Sequence, residues 1–221
     1  MSVVRPEFGP TLAELVGPRV RALPRPAQVA ACAAVVVLVV ALGLLALRLG
    51  AGEPRAAVVV REPVAFNLVY PEGLRRVAAR PGEALRLESV AGAPAPQSLA
   101  ITPLRLAPYP GDVTATLMGR TPRLIDRMRA ALPGFVWRGD GRVNINKQPG
   151  YEILFQFRRG GRTTYGRRIL LVPDAETPPR EGLDITILGA RSAALPRVDA
   201  VAADGQLRTA LRSLRFGTER P

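Results

Sequence analysis

The sequence predicts a single membrane-crossing helix followed by one α+β domain, an antiparallel sheet flanked by helices. Three observations predict it. Residues 29–47 run for 19 positions without a charge, an amide or a hydroxyl. Beyond residue 64, apolar side chains recur at every second position in several short stretches, the period of strands with one buried face. Two further stretches, around Leu124 and Leu211, carry apolar residues at helical spacing. Strands, a helix, hairpins and a closing helix, in that order, suit the α+β class.

The apolar run assigns residues 27–49 as a transmembrane helix. The 21 residues 27–47 rise roughly 31 Å as a helix, about the hydrocarbon thickness of a bilayer. A buried core helix would carry a polar stripe, and this run carries none. Its 11 Val and Leu residues contribute roughly −3 to −7 kcal/mol on the insertion scale. The run exceeds the roughly 7–15 residues of a signal-peptide core, and Leu-Arg-Leu-Gly follows it instead of a small-residue cleavage site. Val29-Ala30-Ala31-Cys32 has the spelling of a lipobox, but a lipobox cysteine ends a hydrophobic run and Cys32 stands near the start of this one. Arg5, Arg19, Arg21 and Arg25 precede the run, while Arg48, Arg55 and Arg61 follow it, so the positive-inside rule puts the N-terminus in the cytoplasm. The expected layout is a cytoplasmic tail (1–26), the span (27–49), a tether (50–63) and an extracytoplasmic domain (64–217) of a single-pass plasma-membrane protein.

Composition narrows the chemistry. Tail and span removed, about 170 of the 221 residues remain, enough for one domain with its own core. With no histidine and one cysteine inside the apolar run, the chain builds no His/Cys metal site, no Ser-His or Cys-His catalytic pair and no internal disulfide. Of 31 basic residues only Lys147 is a lysine. That bias, with much Ala, Gly, Pro and Val, resembles the output of a GC-rich bacterial genome such as an actinobacterial one. Residues 120–168 hold 12 basic against 3 acidic residues, which is most of the charge excess beyond the span.

The elements follow in order. Residues 56–60 can begin a strand. Phe66, Leu68 and Tyr70 share one face of the next, and Pro71-Glu72-Gly73 turns the chain. Residues 74–78, 85–90 and 99–106 read as further strands. The middle helix is expected to be capped at Thr121, with Pro122 in its first turn and Pro133-Gly134 at its end. Leu124, Ile125, Met128 and Leu132 form its apolar stripe, with Arg123, Arg127 and Arg129 away from it. A hairpin is expected to pair residues 135–138 with 142–145 around Gly139-Asp140-Gly141, and a second to turn at Gly160-Gly161 between the alternating Tyr151, Ile153, Phe155, Phe157 and residues 163–172. Leu183, Ile185 and Ile187 alternate again. Leu207, Leu211 and Leu214 close the chain as an amphipathic helix that Asp204 can cap.

Phe66-Asn67-Leu68-Val69-Tyr70-Pro71 resembles the opening strand of the PsbP-like fold, and the closing Leu-Arg-Ser-Leu-Arg-Phe helix is compatible with it. Residues 60–217 are also similar in wording to a set of uncharacterised actinobacterial single-pass proteins. The resemblance implies a non-enzymatic accessory or binding module without a cofactor, and it assigns no functional residue.

The remaining motifs have plain explanations. Arg138-Gly139-Asp140 spells the integrin tripeptide, but Gly-Asp-Gly supplies what a tight turn needs. Lys147 lacks a serine in a recognisable nucleophile motif. Asp140 with Glu152, and Asp174 with Glu176, read as ordinary surface carboxylates. Glycine pairs at 139/141 and 160/161 lack the strand–loop–helix context of a phosphate loop. Trp137, Tyr151, Phe155, Phe157 and Tyr165 lie among arginines, as on nucleic-acid surfaces, yet their spacing explains them as core or sheet-face residues, and no nucleic acid is expected as partner. No catalytic, metal or cofactor residue is therefore assigned, and no feature specifies an oligomeric state. The expected function is a membrane-anchored, non-enzymatic interaction domain on the outer face, binding an envelope protein, a lipid headgroup or an acidic polymer. Arg123, Arg127, Arg129, Arg158, Arg159 and Arg162 are its candidate anion-binding residues. The alternative is a carboxylate-dependent envelope hydrolase or transferase.

Overall fold

Strand pairing organises most of the chain. The computed structural model describes residues 55–93, 96–109, 111–175, 180–203 and 205–219, with scattered positions between Pro24 and Val40. It divides into two units, Met1–Gly52 and Glu53–Pro221. In the first, Ala30, Ala33, Ala34, Val35, Val37 and Val40 are helical. The rest of the apolar run, Cys32 and the flanking Arg25 and Arg48 lie outside the described residues. Among the described residues no helix is long and apolar enough to cross a membrane.

The second unit holds ten strands, two α-helices and a short 3-10 helix (Val198–Ala200) among its described residues: β1 (Arg55–Val60), β2 (Phe66–Pro71), β3 (Leu74–Val77), β4 (Leu85–Ser89), β5 (Gln97–Arg105), α1 (Val113–Ala131), β6 (Val136–Ile145), β7 (Gln148–Arg159), β8 (Arg162–Leu171), β9 (Glu181–Ala190), α2 (Gln206–Ser213) and β10 (Arg215–Phe216). Seven strands form one sheet in the order β3-β4-β5-β9-β8-β7-β6, and β1-β2-β10 form a second. Every pairing is antiparallel. The expected α+β class, an antiparallel sheet flanked by helices, is the architecture found.

Alternation sends each strand's apolar residues to two separate cores. Leu99 and Ile101 on β5, Ile169 and Leu171 on β8, and Leu183, Ile185 and Ile187 on β9 pack with β1, β2 and α2 on one face. Phe66, Leu68, Leu207, Leu211 and Leu214 close that core. On the opposite face Leu117, Leu124 and Met128 of α1 cover Tyr151, Ile153, Phe155 and Phe157 of β7. The ring of Phe155 lies over Gly166, where any Cβ would stand 2.2 Å from it; a side chain at Gly166 would push the β7 aromatics, and the helix above them, outward.

Five expectations are corrected by this packing. The stretch expected as tether supplies β1, whose six residues pair along β2 and bury Val58 and Val60. The domain therefore starts before Val64. The middle helix begins at Val113, not Thr121: Asp112 caps it, its carboxylate accepting from the Thr114 N–H at 2.8 Å. Thr121 is buried and its hydroxyl donates to the Leu117 carbonyl at 3.2 Å. Pro122 consequently lies inside the helix, where proline costs about 3 kcal/mol. Burying Leu117, Leu124 and Met128, at roughly 1.5–3 kcal/mol each, offsets that cost. The helix ends where expected, with Gly134 at φ +62°.

Gly139-Asp140-Gly141 is not a turn. These residues pair straight across with Leu154, Ile153 and Glu152, and the break in register between Trp137 and Gly139 is a β-bulge. The chain turns instead at Asn146-Lys147, with φ of +51° and +67°, the conformation of a tight hairpin turn. The Asn146 amide donates to the Leu214 carbonyl at 2.6 Å and pins this turn to the end of α2. A long β6 satisfies more of β7's backbone than the short hairpin would. The fourth correction concerns Trp137: Tyr151, Phe155, Phe157 and Tyr165 are buried as expected, but Trp137 is exposed. The Gly160-Gly161 turn lies where the sequence put it, and so does α2 as far as Ser213, but Leu214 stands past its end and Arg215-Phe216, expected in the closing helix, pair with β2 as β10; Asp204 is outside the described residues, and Gly205 takes the cap position.

Candidate anion-binding site

The six candidate arginines do not form one site. Arg129 sits on a flank of α1 with Asp126, 2.6 Å away in an exposed ion pair. Arg158, on β7, lies beside the loop that ends that helix, its N–H donating to the Pro133 carbonyl at 2.8 Å. Arg159 and Arg162 flank the β7–β8 turn and line a cleft of about 330 Å³ with Glu88, Ser98 and Thr164. Arg123 and Arg127 share a second cleft, and there they are joined by Arg120.

That cleft, of about 580 Å³, lies between α1 and the segment after β5. Helical geometry builds it. Leu117, Leu124 and Met128 turn inward, which leaves Arg120, Arg123 and Arg127, at i, i+3 and i+7, along the flank facing Pro108 and Tyr109. Arg120 donates to the Arg105 carbonyl at 3.2 Å, and Thr116 adds a hydroxyl one turn earlier. Among the described residues no carboxylate lies within ion-pair distance of these three guanidinium groups. Burial, and secondarily the Asp112 carboxylate, raises the Tyr109 phenol above its ordinary value, so it stays a neutral hydroxyl. Arg127 also borders a groove of about 340 Å³ with an apolar floor that includes Leu124, Phe155 and Leu188.

Two arginines of the basic block, Arg167 and Arg168, are neutralised within the sheet. Arg167 pairs with Glu152 at 2.6 Å. Arg168 grips Asp184 with two bonds, of 2.8 and 2.6 Å. Asp140 accepts from the Tyr151 hydroxyl at 2.5 Å, and that bond, ahead of burial, raises the Tyr151 phenol. Asp140 and Glu152 thus have separate partners. Glu176 is outside the described residues.

The sequence reading missed Arg120, Thr116 and Tyr109. Arg120 was legible in principle: the 3.6-residue period of 120, 123 and 127 becomes visible once the helix starts at Asp112 instead of Thr121. Tyr109 sits in a loop and carries no local signal.

No family model and no curated protein matches the chain. Solved structures do. The chain is similar to LpqN of Mycobacterium tuberculosis, a protein involved in cell envelope biogenesis, at 12% identity and a TM-score of 0.46 over 74% of this chain and 91% of that one. It is similar to the cyanobacterial PsbP of Synechocystis at 14% identity and a TM-score of 0.43, covering 73% and 92%. A protein of unknown function from Pseudomonas aeruginosa, PA94, matches at 20% identity and a TM-score of 0.35, covering 63% and 86%. These are partial likenesses of fold, PsbP-like among them, and the activities of those proteins do not transfer with them.

Proposed function

We propose that this chain is a single-pass, membrane-anchored accessory domain on the outer face of a bacterial membrane, which binds an anionic envelope component and catalyses no reaction. The carrying observation is the cleft of Arg120, Arg123 and Arg127, three guanidinium groups on one helix flank without a carboxylate among the described residues. Like charges at this spacing repel by a few tenths of a kcal/mol per pair, a cost that an anion in the cleft reverses. Guanidinium groups suit phosphate and carboxylate oxygens because they donate in pairs. The run 27–49 and the arginines before it support the anchor and its orientation. Against the carboxylate-enzyme alternative, Asp140, Glu152 and Asp184 are each held by a partner.

The test is titration of the purified chain in detergent with soluble polyphosphate at two salt concentrations. The expected result is salt-dependent binding that weakens at least tenfold when Arg120, Arg123 and Arg127 are changed to Gln, and is unchanged by Arg129→Gln. Equal losses from both variants would refute the cleft as the site.

A further inference from the structure

Among the described residues of the second unit four large apolar side chains stand in solvent, and three of them lie at one end of the seven-stranded sheet. Val136 is 42% exposed, Trp137 50% and Val90 40%; the fourth, Met118, is on α1. The register places the three together. Val136 stands opposite Gln156, Gln156 opposite Tyr165, Tyr165 opposite Gly189, and Gly189 opposite Gln97. The Gln97 N–H donates to the Ser89 hydroxyl, and Val90 follows. One level of the sheet therefore carries Val136 and Trp137 near one edge and Val90 near the other, five strand spacings or about 24 Å apart. Beyond that level, between them, projects the β7–β8 turn with Arg158, Arg159 and Arg162, all exposed and without an ion pair among the described residues. The acids at this end are few: Glu88 is held by Arg86, and Glu72 is exposed.

The chain enters the domain at the same end. Arg55, the first residue of β1, stands opposite Pro71. Two residues on, the Gln206 side chain packs on Gly73, whose carbonyl accepts from Val90. Gly205 approaches the Gln97 amide. Entry point, apolar side chains and unpaired arginines thus share one end, while the Asn146-Lys147 turn and the end of α2 mark the other.

We infer that this end, with Trp137, Val136, Val90, Arg158, Arg159 and Arg162, docks on the surface of an anionic bilayer. The inference rests on the anchored reading above but uses a different surface from the arginine cleft. Covalent length permits it: the seven residues 48–54 reach at most about 25 Å from the apolar run to β1. The chemistry matches a lipid surface. Tryptophan favours the headgroup level of a bilayer, and arginine is attracted to anionic headgroups within a Debye length. A protein partner would instead be expected to need an apolar patch in one piece, whereas these side chains are dispersed around a basic centre.

Trp137 is the only tryptophan in the chain, so its fluorescence reports this end alone. The full-length chain is reconstituted into phosphatidylcholine vesicles with and without one-third phosphatidylglycerol, using lipids brominated on the acyl chains. With phosphatidylglycerol present, Trp137 emission is expected to shift to the blue and to be quenched by the brominated chains. Changing Arg158, Arg159 and Arg162 to Gln should reverse most of the quenching, at least threefold; changing Arg120, Arg123 and Arg127 to Gln should leave it unaltered. Equal quenching in neutral and anionic vesicles, or a triple tip variant that behaves as the parent, overturns the inference. Flotation separates the two proposals. A chain that floats with its vesicles while Trp137 stays unquenched refutes only the docking end, and a chain that does not float refutes the anchor.

Discussion

Arg167 and Arg168 on β8, and Arg120, Arg123 and Arg127 on α1, are one residue type in two settings. The β8 side chains are 15% and 25% exposed, and each faces a carboxylate that is itself 20% or 12% exposed. The arginines of the α1 flank have none among the described residues. The difference follows from solvation. A guanidinium withdrawn from water needs a partner oxygen to offset its lost hydration, whereas one left at a cleft mouth does not. Charge inside the sheet therefore holds strands together, and only the surplus outside it is free to meet a ligand. The +9 balance of residues 120–168 overstates the functional charge.

The comparison can be broken most severely where the chain is driest. Leu211→Asp would place an unpaired carboxylate in the sealed core beside α2, where Leu211 is 6% exposed. Such a change costs about 4 kcal/mol or more, and residues 53–221 should lose their cooperative urea transition. An unaltered transition would mean α2 does not pack as described. Next in size is Asp184→Ala, which strands Arg168 half-buried. It should cost about 2–3 kcal/mol in urea melts, and adding Arg168→Met should restore much of the loss. Asp126→Ala, which removes the exposed partner of Arg129, should change stability by less than about 0.5 kcal/mol. Similar costs for the two Asp variants would erase the distinction between buried and exposed arginines.

The smallest expected effect is a pH dependence. The Arg86 guanidinium, by a hydrogen bond to Glu83, holds that carboxyl below its ordinary 4.5. A carboxyl lowered on folding stabilises the native state above its unfolded value and loses that contribution as pH falls through its folded value. Melting temperature should therefore drop on acidification below about pH 4.5, and Glu83→Gln should flatten part of that drop. A Gln variant as acid-sensitive as the parent would assign the drop to other carboxylates.

Elements defined by neighbours in sequence were legible. Tyr151, Ile153, Phe155 and Phe157 alternate because β7 buries one face, and Gly160-Gly161 turns because glycine enters the left-handed region without a Cβ clash. Arg123 and Arg127 were found for the same local reason. What failed had competing local signals. Gly139-Asp140-Gly141 is a good turn sequence, but β7 offers a partner along its whole length, and pairing with it outweighs turn propensity. Thr121-Pro122 is a good helix start, but Leu117 has a core to fill one turn earlier.

By itself the sequence determined the apolar run of residues 29–47, the lack of histidine and of any cysteine pair, and the period of most strands and helices. These are properties of composition and of residues a few positions apart. Tertiary structure decided that β1 belongs to the domain, that Arg167 and Arg168 are neutralised, and that Arg120 joins Arg123 and Arg127 opposite Tyr109. Each of those outcomes depends on which groups are withdrawn from water together. Arg168 and Asp184, for example, meet across two strands 16 residues apart, and desolvation, which sets the worth of their pairing, exists only once the sheet has closed around them.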